Sequence, residues 1–143
     1  MDILNTLKIG GSALKAHSIR LNTISSNLAN IETTSTPEGG PYKKKSVYFQ
    51  SKPLSFKDQL QGEMNNAAQG VEVTKIIEDK SPPRKVYDPS HPDAQEDGYV
   101  EMPNISVLEE MVDMMSTTRS YQANVTSIKS AKRMAMKALE IGR

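Results

Sequence analysis

The 143-residue chain contains no cysteine and no tryptophan, and only two phenylalanines and five tyrosines. Without cysteine there is no disulfide framework and no thiolate nucleophile or ligand. With aromatics at 5% and hydrophobic residues at 36%, few large side chains are available to anchor a core. The composition sits between globular and disordered, so partners are expected to help bury what apolar surface there is. A net charge of +1 supplies no global field for nucleic acid or an anionic membrane. No apolar run approaches the roughly 20 residues that span a bilayer. The N-terminus lacks the basic, apolar and small-residue regions of a cleaved signal peptide. Two histidines are present, and no Ser-His-Asp context, G-x-S-x-G, glycine-rich phosphate loop or zinc spacing surrounds them. No catalytic, cofactor or metal site is expected, and no nucleic-acid or small-molecule partner.

What is present is heptad periodicity at both ends. Leu7, Leu14, Leu21 and Leu28 recur every seven residues, and Gly10, His17, Ile24 and Ile31 form a second track three residues later. Such an a/d seam predicts a packed helix over about Asp2–Ile31. Lys8, Lys15, Arg20, Asn22, Ser26 and Asn27 fall on the opposite face. Gly10-Gly11 costs about 1 kcal/mol per glycine relative to alanine, so the helix is expected to be weakest there. Ser12 is positioned to cap a restart. His17 is read as a satisfied or interface histidine.

The second seam runs Val107, Met111, Met114, Thr118, Tyr121, Val125, Ile128, Lys132, Ala135, Leu139, with strict 4,3 spacing. Pro103 precedes it, Ser106 and Glu109 make a capping box, and Gly142 is placed as a stop. Glu109, Glu110 and Asp113 in the first turns and Lys129, Lys132, Arg133 and Lys137 near the end complement the helix dipole. The methionines are read as adaptable packing rather than metal ligands.

Between the seams the pattern changes. Thr33–Pro41 reads as a loop. Val47–Gln50 and Val71–Ile77 read as strands, with Lys85–Tyr87 expected to pair with the latter across a turn at Ser81–Pro83. Lys43–Lys45 are read as a solvated strand edge. Ser55–Asn66 is ambiguous between helix and loop. Asp88–Gly98, with four acids and a histidine, is read as a turn-rich loop, because its prolines forbid the helical spacing that a metal site there needs. The expected fold is mainly α with a small β region: two terminal helices packing as a coiled coil around a short β-hairpin or strand insert. The expected divisions are 1–33, 34–103 and 104–143.

Three stretches carry a resemblance. Asn27-Leu28-Ala29-Asn30, followed by Thr33, resembles the Asn-Leu-Ala-Asn-x-x-Thr signature of bacterial flagellar rod and hook proteins. Asp88-Pro89-Ser90-His91-Pro92, running on to Gly98-Tyr99, and the run Glu109–Met114 with Arg119–Asn124 are similar to the proximal-rod branch of the flagella basal body rod protein family. The Pro37–Tyr42 loop, in place of Thr-x-Gly-Tyr, fits that branch. The resemblance implies a structural subunit, exported unprocessed by the flagellar type III apparatus and built into a periplasmic helical tube that transmits torque. Implied partners are further copies of the chain, the sibling rod proteins FlgB, FlgF and FlgG, the protein FliE, the membrane ring and the export apparatus. The polar residues Asn22, Ser26, Ser120 and Asn124 are expected to face the lumen. Two rival readings remain at this stage. One is a coiled-coil adaptor, which closes at fixed size. The other is a small wall hydrolase, which needs a carboxylate pair and has only the Asp88–Asp97 loop to supply it.

Overall fold

The computed structural model describes residues 3–51 and 69–141. Helix α1 spans Ile3–Ala29 and helix α2 spans Val107–Ile141. Four strands lie between them: β1 Lys45–Ser51, β2 Val71–Glu78, β3 Arg84–Tyr87 and β4 Tyr99–Met102. The ambiguous Ser55–Asn66 stretch and the Gly142 stop lie outside the described residues.

Both helices are the long amphipathic rods that the heptads predict, about 40 Å and 52 Å at 1.5 Å per residue. α1 runs unbroken through Gly10-Gly11. The reason is packing: a Cβ added to Gly10 would stand 2.7 Å from Ile128 Cγ1 of α2, while one added to Gly11 would meet nothing within 4 Å. The first glycine is where the helices approach closely; the second is solvent-facing. Ser12 caps no restart. Its hydroxyl donates to the Ile9 carbonyl (2.8 Å) and accepts from the Val71 amide (3.0 Å), which ties the β2 strand to α1. At the head of α2 the Glu110 amide donates to the Ser106 carbonyl at 3.1 Å, the bond expected of an N-cap residue. No basic residue lies in the last described turn of α2; Lys137 precedes it.

The two helices run antiparallel: Asn27 meets Glu110, Arg20 meets Asp113, and Gly10 meets Ile128. Their contact stripes differ from the expected seams by one track each. On α2 the track Met114, Tyr121, Ile128, Ala135 is half-buried as expected, but the fully buried positions are Glu110, Thr117 and Ala131. Met111 and Leu139, placed inward by periodicity, are 48% and 76% exposed, and Lys132 is exposed. On α1, Ala16, Thr23, Ile24 and Asn27 are buried, while Leu7, Leu14, Leu21 and Leu28 are only half-buried. The cause is steric. Axes that approach closely enough to require Gly10 admit alanine and threonine in the seam and displace the bulky residues to its flanks.

The strands form two separate antiparallel pairs, β1 with β2 and β3 with β4. The expected pairing of Lys85–Tyr87 with Val71–Ile77 is therefore corrected. β2 pairs back to β1, from Lys45↔Glu78 to Ser51↔Val71, with an irregularity between Tyr48 and Phe49. β3 takes Tyr99–Met102 as its partner, in register from Arg84↔Met102 to Tyr87↔Tyr99. The β1–β2 pair leans on α1 through Phe49, whose ring meets His17 edge-on at 5.8 Å and lies 5.8 Å from the Arg20 guanidinium.

Candidate assembly interface

Pro103 apart, the buried apolar side chains among the described residues are Ala16, Ile24, Val100, Ile105 and Ala131, two of them alanine. Against these stand fifteen exposed large hydrophobics, nine of them on α2. Single exposed apolar residues are ordinary. A helix whose first three turns expose Val107, Leu108, Met111, Val112 and Met115 together is the signature of a surface made to be covered.

What holds the subunit together is instead a polar junction. Asn27, 1% exposed, donates through Nδ2 to the Lys45 carbonyl (2.9 Å) and to Glu110 Oε2 (3.0 Å). Its Oδ1 accepts from the Lys45 amide (2.9 Å) and the Tyr42 hydroxyl (3.2 Å). All four hydrogen-bonding positions of the amide are filled, and one side chain joins α1, the incoming loop, β1 and α2. Glu110, 2% exposed, is neutralised by Lys44 at 2.9 Å. That hydrogen bond, chiefly, raises the Lys44 ammonium above its ordinary 10.5, against the opposing effect of burial. Thus Asn27, read from spacing as part of the solvated face, is the most enclosed polar group of α1. Arg20 of the same set reaches Asp113 at 3.5 Å. The Lys43–Lys45 triplet is more than a solvated edge. Lys44 serves Glu110, and Lys45 meets Glu78 at 3.8 Å and stands over the Tyr42 ring at 5.7 Å.

The rest of the signature ends the helix. Asn30 Nδ2 donates to the Ser26 carbonyl (2.8 Å), and Thr33 donates through its amide to the Asn30 carbonyl (3.1 Å) and through its hydroxyl to Asn30 Oδ1 (3.2 Å). The Tyr42 amide then donates to the Thr33 carbonyl (3.1 Å), returning the chain toward β1. Leu28 and Ile31 are half-buried and Ala29 is exposed. Ser26 contacts the Tyr42 hydroxyl at 3.3 Å, and Asn124 lies in the α1-facing track with Thr117 and Ala131. Both are half-buried within the single subunit.

The Asp88–Gly98 loop is a self-bonded hairpin connection. Asp88 Oδ1 accepts from the Ser90 amide and hydroxyl (3.1 and 2.9 Å), and His91 Nδ1 accepts from the Asp93 amide (3.1 Å). Thr34 donates to Asp93 Oδ2 (2.6 Å), tying the loop to the end of α1. Gly98 has φ +75°, and an added Cβ would stand 2.9 Å from the Tyr87 ring, which packs edge-on against Tyr99 at 5.3 Å. Pro89 and Pro92 sit exposed at its turns. The Asp88 carboxylate serves its local turn and that of Asp93 the tie to Thr34, and no metal-binding group of three such side chains occurs among the described residues.

Of the two readings of His17, satisfied or interface, the first does not hold within the single subunit. Its Nδ1 is the one buried side-chain nitrogen or oxygen without a partner among the described residues. Burial, and then the Arg20 charge, hold its pKa below 6.5.

Comparison with known proteins fits this arrangement. The family model described as flagella basal body rod protein matches residues 7–35, which take in the heptads and the Asn27–Thr33 signature. The model described as flagellar basal body rod FlgEFG protein C-terminal matches residues 96–141, which take in β4 and α2. Flagellar basal-body rod protein FlgC of Bacillus subtilis is 48% identical, with all of both chains covered. Its namesake from Salmonella typhimurium is 44% identical over 99% of each chain. That of Borreliella burgdorferi is 40% identical over 99% of this chain and 98% of its own. Identity of this order along the whole length, with both terminal segments matched, places the chain in the FlgC family of flagellar basal-body rod proteins.

Proposed function

We propose that this chain is a structural subunit of the flagellar basal-body rod and works by helix packing rather than by chemistry. The observation that carries the reading is the inverted burial of α2, whose bulky apolar residues face outward while alanine, threonine and a paired glutamate face inward. Full-length identity to FlgC proteins supports the placement in the proximal rod, in the periplasm, and the role in passing motor torque to the structures beyond. Three divisions follow in functional terms: residues 1–33 and 104–143 build the assembly seam, and 34–103 forms an outer region.

In this reading Leu7, Leu14, Leu21, Leu28 and Ile31 of α1 flank the internal contact and are completed by neighbours, as are Val107, Met111, Val125 and Leu139 of α2. Ile24, Met114, Tyr121 and Ile128 hold the subunit's own helix pair. Neighbours that repeat by a screw operation make non-closing contacts and so a tube; copies of the chain, FlgB, FlgF, FlgG and FliE are the proposed neighbours. Thin internal burial also suits export through the type III apparatus without a cleaved signal, since ordering is then coupled to docking. Complementation tests the reading. A flagellated bacterium lacking its own FlgC should regain rods and swimming when it produces this chain, and purified basal bodies should contain it. Restoration of neither would overturn it.

A further inference from the structure

The first three turns of α2 carry one broad apolar arc: Val107, Leu108, Met111, Val112 and Met115 are 45–76% exposed, and Met114 is half-buried. From Arg119 to Arg133 the outward side is polar, with Arg119, Gln122, Thr126, Lys129 and Arg133 exposed, before Met134, Met136 and Leu139 are exposed near the end of the helix. An apolar arc this wide is a face made to be covered, and α1 covers the segment only on the Glu110 side. The uncovered patch is bordered by acid. The Glu109 side chain is 74% exposed and that of Asp113 52% exposed, whereas Met114–Leu139 contains bases but no acid.

α1 offers the complementary chemistry. Between Ile3 and Ile31 it has no acidic residue. Its exposed stripe includes Lys8, Gly11, Lys15 and Ser18 at alternating spacings of three and four. Neither lysine has a salt bridge among the described residues. The small residues leave room for knobs such as Met111 and Val112, and the lysines suit Glu109 and Asp113. The two surfaces lie at opposite ends of the helix pair, because Asn27 is beside Glu110 and Lys8–Lys15 lies farther along α1. They meet only between different subunits. The segment homologous to α1 belongs to a family model shared by rod proteins, so a neighbouring subunit brings such a helix with it.

We propose that the apolar face of the first three turns of α2 is covered, in the assembled rod, by the basic outward face of the N-terminal helix of a neighbouring rod-family subunit, shifted by about 22 Å along the helix axis, the rise of some 15 residues. The proposal rests on the rod-subunit reading and names the partner segment of that surface.

The test is a photo-crosslinking amino acid at Val112, and separately at Leu108, in the full chain produced in cells lacking their own FlgC. Basal bodies are purified after irradiation and crosslinked peptides are identified by mass spectrometry. The expected product joins either position to residues corresponding to 8–18 of a rod-family subunit, in this chain or a sibling. A crosslink to a neighbour's C-terminal helix, to a strand region or to a protein outside the family overturns the proposal, as does no crosslink in basal bodies that contain the chain. Failure of the unmodified chain to enter basal bodies instead overturns the rod reading, and this inference with it. In parallel, Val112→Asp should leave the urea midpoint of the purified chain unchanged while the variant is lost from basal bodies. Normal incorporation of that variant also overturns the proposal.

Discussion

Replacing Asn27 tests whether one amide holds the subunit in shape. Asn27→Ala strands the Lys45 amide and carbonyl and removes a hydrogen bond to the Glu110 carboxylate. Each buried group left without a partner costs about 1–3 kcal/mol, and a bond to a charged group contributes about 1.5–3 kcal/mol. The Tyr42 hydroxyl keeps Ser26 as a neighbour, and Glu110 keeps Lys44. A cleft of about 80 Å³ beside Asn27 and Glu110 has room for water to restore part of the loss. The net effect should be about 2–4 kcal/mol, which at an ordinary urea slope lowers the midpoint by about 1–2 M with the slope unchanged. The near-isosteric Asn27→Asp separates hydrogen bonding from volume. It retains the acceptor for Lys45 and Tyr42 but turns an oxygen toward Glu110 Oε2 and the Lys45 carbonyl. At pH 7 it should be at least as damaging as alanine, and it should recover as pH falls toward 4, where a carboxyl regains its proton. Urea unfolding followed by circular dichroism measures both. Wild-type stability of the Asn27→Asp variant at pH 7 would refute the clamp.

Three further outcomes are expected. His17 is held below 6.5, so the unfolded chain binds its proton first. The stability that His17 contributes should be complete above pH 6.5 and fall as the solution is acidified through that value, and His17→Phe should abolish this dependence in a pH series of urea midpoints. The adjacent glycines should respond with opposite sign. Gly11→Ala should raise stability by up to about 1 kcal/mol, whereas Gly10→Val should lower it by about 1–3 kcal/mol through overpacking against Ile128, as paired thermal melts will show. Leu21→Asp or Val125→Asp should abolish incorporation into basal bodies while the chain is still exported; loss of export with normal assembly of the purified chain would make the seam an export determinant instead.

Periodicity located both helices because a long stripe repeats its signal many times. It misjudged one track in each because hydrophobicity ranks Met111 and Leu139 above Thr117 and Ala131, whereas a close helix approach selects for size. Strand partners were less legible. Val71–Ile77 has the β-branched character of a strand whatever it pairs with, and the four residues Tyr99–Met102 are too short to stand out beside the polar Asp88–Gly98 run. Asn27 was marked by the family signature, but nothing in spacing distinguishes an amide that closes four hydrogen bonds from one that faces water. In the Asp88–Gly98 run, the proline-rich turn gives Asp88 the Ser90 amide and hydroxyl as local donors, whereas the Thr34 hydroxyl that Asp93 accepts from lies 59 residues away and leaves no local signal in the sequence.

The outward placement of α2's bulky side chains has a consequence for how such a chain exchanges. A chain that leaves this many large apolar side chains exposed gains stability with each neighbour that binds its ordered form. A copy at a growing end, covered on one side, should leave readily, and a copy enclosed on all sides should be effectively permanent. Error correction would then be confined to the tip, and the finished shaft would keep every subunit it had enclosed.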